Sequence, residues 1–177
     1  MELEFNIVAF KITLEINIML DFEFIKNNYI KLVDAIIKYL DKFTEEAYYY
    51  KPTEKSNAVA WIVPHIAAFE KEKVMDFIEN YTFDKVMSDE NIVKYHPGVD
   101  GYKLKQNEMM TKEKAIEHLE AAKKASLKFL DDLINNAETT KDVDQDFVFA
   151  RYMLSYSHTL EHYGQLKYLL GTYNRTH

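Results

Sequence analysis

Apolar residues recur along this chain with two different periods, and the change falls near residue 20. Leu3, Phe5 and Ile7 alternate with polar neighbours, and Ile12, Leu14, Ile16 and Ile18 do so again after a phase slip. A period of two puts every second side chain on one face, as in a strand. Residues 1–20 therefore form an N-terminal extension with two open readings. One is a pair of short strands, marginal as a lone hairpin unless packed against something larger. The other is a non-native stretch ahead of a natural start at Met19.

Beyond that point the spacing becomes helical. Asp21 stands where a first helix needs a cap, and Ile25, Tyr29, Leu32, Ile36, Leu40 and Phe43 follow on one stripe. That helix should end near Thr44, before the Tyr48–Tyr49–Tyr50 run and Pro52. Ser56 is placed to cap a second helix over about 57–81, with Ala58, Ile62, His65 and Phe69 along one face. Pro64 lies inside it, lacks an N–H and should kink its first two turns. A long connection over 82–110 follows, carrying Pro97–Gly98 and Gly101. Thr111 then caps a third helix with Ala115, Leu119, Ala122, Phe129 and Leu133 facing inward. After a polar break at 137–142, a fourth helix runs from about Asp144 to Leu170 and stops at Gly171. The expectation is an all-α fold: a four-helix bundle over 21–171 with one long crossover connection, then a C-terminal tail at 172–177.

Composition supports this architecture and narrows the partners. Only four glycines and three prolines occur in 177 residues, and 47% are apolar, a balance that suits long helices. A net charge of −7 and a pI of about 5.4 disfavour nucleic acid, and the short Lys123–Lys124 pair does not reverse that. There is no cysteine, so a disulfide, a thiolate metal site and a cysteine nucleophile are all excluded. No apolar run is long enough to span a bilayer, and the start lacks the basic character of a secretory signal. The expectation is a cytoplasmic protein without nucleic-acid or membrane partners.

The chemistry rests on histidines. His158 and His162 are spaced i, i+4, so their rings leave one helix face a turn apart. Leu154, Gln165 and Leu169 share that stripe, which points the pair into the bundle. Buried imidazoles need partners, because an unsatisfied buried polar group costs about 1–3 kcal/mol. A metal ion would satisfy them, and so would hydrogen bonds within a quiet core; spacing alone does not choose. His65, on the apolar stripe of the second helix and one turn after Trp61, offers a third imidazole. Three histidines with open positions suit a divalent zinc, nickel or iron ion. Gly164, just after His162, would allow close helix approach. His96 reads as an exposed turn residue, His118 as a flank of the core and His177 as terminal. Glu161 reads as a rim carboxylate or as a group oriented toward the ligands, and Gln165 as packed or as a partner of an imidazole.

Two segments resemble a known family. Ser56-Asn57-Ala58-Val59-Ala60-Trp61-Ile62-Val63-Pro64-His65-Ile66 is similar to the second-helix motif of the DinB/YfiT-like superfamily. His158-Thr159-Leu160-Glu161-His162-Tyr163-Gly164-Gln165-Leu166 resembles that family's fourth-helix signature, and Tyr50-Lys51-Pro52 its aromatic-x-proline step. The resemblance covers about residues 19–171. It implies a bundle with His65, His158 and His162 as a three-histidine metal site, commonly in a homodimer. It also implies metal-dependent transferases or isomerases that use low-molecular-weight thiols, although many relatives have no established reaction. The chain departs from the family in its N-terminal extension, its tyrosine-rich first loop and its long 82–110 connection.

Other metal chemistries fit less well. His158-x-x-Glu161-His162 matches the pattern of inverted zinc peptidases, but those need a downstream carboxylate ligand and no Glu or Asp follows His162. A ferritin-like site needs Glu-x-x-His, and no histidine here has Glu three residues before it. A hemerythrin-like His-x-x-x-Glu step is also missing, since His65 meets Phe69. Two functions stay open: a metal-dependent enzyme, for which the resemblance implies a thiol-dependent S-transferase or isomerase and a hydrolase is a further alternative, or a non-catalytic metal-binding or interaction bundle.

Overall fold

The computed structural model describes residues 22–177, so the period-two stretch and the expected Asp21 cap lie outside the described residues. Helix α1 covers 22–40, followed by α2 (Glu45–Tyr49), α3 (Val59–Lys73), α4 (Asp89–Tyr95), α5 (Lys112–Ile134) and α6 (Gln145–Thr176). Among the described residues there is no strand. The four long helices α1, α3, α5 and α6 make the bundle.

The α1 stripe is buried as the spacing predicts, from Ile25 through Tyr29, Leu32, Ile36 and Leu40 to Phe43 just beyond the helix. The inward face of α5 likewise holds Ala115, Leu119, Ala122, Phe129 and Leu133. Helix α3 differs, because every residue from Val59 to Glu70 is buried. It packs against α2, α4, α5 and α6, which makes it the central strut. Burying each large apolar side chain of this core contributes about 1.5–3 kcal/mol.

Helix ends follow local chemistry. Thr111 Oγ1 accepts from Lys114 N at 3.4 Å and Asp144 Oδ1 from Phe147 N at 3.0 Å, so α5 and α6 begin where their caps predict. Four boundaries differ from expectation, three of them around α2 and α3. Thr44 caps the short α2 through Ala47 N at 3.2 Å rather than closing α1, and the tyrosine run falls largely within α2. Ser56 does not cap α3: its hydroxyl pairs with Thr53 at 2.8 Å, and Ala58 takes the N-cap position with no side-chain bond. Helix α3 continues through Pro64 and ends at Lys73, where a 3-10 turn, Met75–Phe77, takes over.

The fourth helix does not stop at Gly171 but continues to Thr176, so 172–177 is not a separate tail. A helical glycine costs about 1 kcal/mol relative to alanine. The contacts of Tyr173 offset that cost: its hydroxyl donates to Glu46 Oε2 at 2.9 Å and its ring packs edge-on against Tyr50.

The 82–110 connection is structured and tied down. It contains α4 and two 3-10 turns, Gly101–Lys103 and Gln106–Glu108. Lys51 Nζ donates to the carbonyls of Tyr102 and Leu104 at 2.7 and 2.8 Å, and Trp61 Nε1 to that of Lys94 at 3.0 Å. Buried Tyr95 accepts from Met110 N at 2.6 Å through its hydroxyl. Tyr95→Phe leaves that N–H buried without a partner, so it should destabilise the protein by about 1–3 kcal/mol. Urea unfolding checks this; an unchanged midpoint would show that the bond contributes nothing.

Candidate metal centre

The centre is built where α3, α6 and the end of α4 meet. The inward seam of α6 is Val148, Tyr152, Ser155, Thr159, His162, Leu166 and Leu169. His162 therefore faces the interior at 9% exposure, while His158 sits half-buried at the edge of that seam. Leu154, expected on the same inward stripe, is instead 48% exposed. His65 comes from the fully buried run of α3 and is 5% exposed.

The three rings converge. The potential ligand atoms of His65, His158 and His162 all lie within 4.8 Å of one another. His158 Nε2 is 3.2 Å from His65 Nε2 and 3.0 Å from His162 Nε2. Two imidazole nitrogens on one ion at about 2.0–2.1 Å and near-tetrahedral angles stand about 3.3 Å apart, close to this spacing. The remaining nitrogens decide which atoms are free. His65 Nδ1 donates to the Tyr95 carbonyl at 2.8 Å, and His162 Nδ1 to Gln165 Oε1 at 2.9 Å. Each neutral ring so held turns a bare Nε2 lone pair toward the common point. Among the described residues the buried His158 Nδ1 has no hydrogen-bond partner to fix the tautomer, so its Nε2 is free to take the same role. Without an ion, a proton on His158 Nε2 has two acceptors and can satisfy only one well. A divalent ion satisfies all three lone pairs together, so the residues present fit one.

Aromatic rings wall the cluster. Trp61 stacks on His65 at 4.3 Å and 16°, and Phe69 on His158 at 3.6 Å and 13°. Desolvation in this setting lowers the pKa of His65 to about 4 and that of His158 to about 3, with neighbouring imidazoles adding to the effect. For His65 the bond to Tyr95 opposes the shift. Burial also lowers the pKa of His162, against its bond to Gln165 and the charge of Glu161. All three rings are therefore neutral at pH 7, the protonation state a metal requires.

A pH dependence follows. The unfolded chain protonates these rings near 6.5, whereas the folded chain does so only at the depressed values. Between those limits the unfolded state binds more protons, so the metal-free protein should lose stability as pH falls from about 6.5 towards 4. Urea midpoints at successive pH values check this, and the slope should lessen in His158→Leu. A slope that is flat, or the same in that variant, would show that these rings do not carry the effect.

Of the other residues singled out, Gln165 is a partner of His162, while Glu161 is an exposed rim carboxylate that acts on His162 only through its charge. His96 is exposed and faces Glu72 at 3.1 Å. His118 bonds the Val86 carbonyl at 3.2 Å, and His177 stacks on Tyr173. The sequence reading missed the Tyr95 carbonyl that orients His65. A backbone acceptor brought in by the end of a distant helix leaves no residue-type signal.

Fold and site together define a helical bundle carrying three convergent histidines that can hold a metal ion. The DinB superfamily matches residues 30–166, and the chain belongs to it. No curated protein and no solved structure matches the chain. Among the described residues no helix is long and apolar enough to cross a membrane.

Proposed function

We propose that this protein is a metal-dependent enzyme that holds one divalent ion (zinc, nickel or iron) on His65, His158 and His162 and uses a low-molecular-weight thiol as cosubstrate. The observation that carries the reading is the convergence of three Nε2 atoms, two of them on rings whose other nitrogen is already held. Three protein ligands leave coordination positions for small molecules, as in catalytic rather than closed structural sites. A divalent ion there supplies Lewis acidity that lowers the pKa of a thiol or water.

The chain's own residues perform the remaining tasks. Tyr95 and Gln165 hold two rings in the orientation the ligands need. Trp61 and Phe69 exclude water from the flanks and keep the imidazoles neutral. The absence of cysteine means that any thiol nucleophile comes from a cosubstrate. The reaction class consistent with this arrangement is attack of that thiol on an electrophilic carbon, as in S-transfer or thiol-assisted isomerisation.

The test is turnover of a panel of electrophiles with small thiols by zinc-, nickel- and iron-loaded protein. Activity that needs metal and disappears in His65→Ala with the fold intact is the expected result. The competing reading, a bundle that binds metal without catalysis, predicts metal binding with no turnover above the free ion.

A further inference from the structure

Glu70 is the one fully buried carboxyl among the described residues, at 1% exposure, and the centre described above does not use it. It lies on α3, five residues after His65. The groups facing it come from the other three bundle helices. Ser126 of α5 donates to Oε1 at 2.5 Å, and Ser155 of α6 donates to Oε2. Tyr29 of α1 and Tyr152 of α6 are fully buried against the same spot, and the acidity of each responds to Glu70. Among the described residues neither tyrosine hydroxyl has a partner in hydrogen-bond geometry.

Among the described residues no cation pairs with this carboxyl. Lys26 of α1 is held by Asp131, Lys123 of α5 by Asp34 and Glu120, and Lys128 by Asp132. Desolvation accordingly raises the pKa of Glu70, against the hydrogen bonds from Ser126 and Ser155 and the weaker influence of the nearby Tyr29 hydroxyl. The cage can nevertheless serve either charge state. A neutral acid is satisfied when one serine donates to its carbonyl oxygen and the other hydroxyl turns to accept its proton, while an anion takes both serines as donors and can recruit the two tyrosine hydroxyls as well.

What would turn one state into the other is a positive charge nearby. Five residues of α3 span about 7.5 Å, and Ser155, which touches Glu70, precedes His158 by only about 4.5 Å of α6. Glu70 and His65 are thus separated by about 7.5 Å of rise along α3 and by about 140° around it, in an interior that screens poorly.

We propose that Glu70 is a proton-binding site linked to the histidine centre. Its carboxyl holds a proton in the metal-free protein and gives it up to solvent when a divalent ion loads, leaving a buried carboxylate that balances part of the added charge. The proposal rests on the metal reading of the three histidines. The step is a plain exchange: one divalent ion enters, and one proton leaves Glu70 for the buffer.

Infrared difference spectroscopy of the full protein with and without zinc tests it, with Trp61 fluorescence recording zinc binding in the same samples. A protonated-carboxylic-acid carbonyl band should be present at pH 7 without metal, vanish as zinc binds, and be missing in Glu70→Gln. In that variant the log of zinc affinity should also rise less steeply with pH than in the wild type, by about tenfold per pH unit over the range where Glu70 is protonated. Zinc bound with the band unchanged, or no such band before zinc, overturns the linkage alone. No zinc binding at all overturns the metal reading and the linkage with it. Should Glu70→Gln fail to fold, Glu70→Asp should shift the band; an unmoved band would assign it elsewhere and refute the proposal.

Discussion

His65→Ala should abolish stoichiometric metal binding while the bundle remains folded. A four-ligand structural zinc site contributes about 10–16 kcal/mol, so one ligand is worth roughly 2.5–4 kcal/mol, or about two to three orders of magnitude in affinity. The loss should be at the upper end, because His65 is the most rigidly placed of the three. Its ring lies between the Trp61 stack and the bond to the Tyr95 carbonyl. The metal-free variant should lose about 1–3 kcal/mol for the carbonyl left unpaired and a further few kcal/mol for the cavity, a total below the upper part of the roughly 5–15 kcal/mol that holds a domain together. Isothermal titration with zinc, beside circular dichroism for the fold, reads both quantities. Wild-type affinity in a folded variant would remove His65 from the site.

Gly101→Ala should damage the same centre from outside it. A Cβ built on Gly101 would stand 2.2 Å from Trp61 Cδ2 and 2.3 Å from its Cγ. Such a contact is impossible, so either the connection lifts away or the indole moves. The indole cannot move freely, since its N–H is bonded to the Lys94 carbonyl and its face lies on His65. Overpacking of this kind costs about 1–3 kcal/mol. For a chain of this size each kcal/mol lowers Tm by roughly 2–4 °C. Because the displaced group supports a ligand, metal affinity should fall as well, by about 10–100-fold. Thermal melts and zinc titration of the variant check the pair of effects. A normal Tm with normal affinity would mean that the connection does not brace the site.

These two variants also show what was legible in the sequence. The His158–His162 pair was visible because helical spacing is local, and His65 because a polar ring interrupts an apolar stripe. Helix α5 was read nearly to its ends, since it is apolar on one face and has a threonine cap. Helix α3 was read too long, because a helix buried on all sides has no amphipathic pattern to mark its ends. On α6 the pattern places His162 and Leu169 correctly but also puts Leu154 inside, because the true seam carries Ser155 and Thr159, polar residues that spacing assigns to solvent. Glu70 was hidden for the same reason: its partners come from three other helices, and only the fold brings them together. Gly101 gave no sign that its missing side chain makes room for Trp61.

The most direct test of the account is a metal titration of untagged protein, followed by both elemental analysis and tryptophan fluorescence. Trp61 is the only tryptophan and lies flat on His65, so its emission should respond to an ion at the site. Saturation at one equivalent of zinc or nickel with a matching emission change, and loss of both in His65→Ala, is the expected result. Retention of much less than half an equivalent after incubation with zinc and nickel, or binding that leaves Trp61 emission untouched, would contradict it.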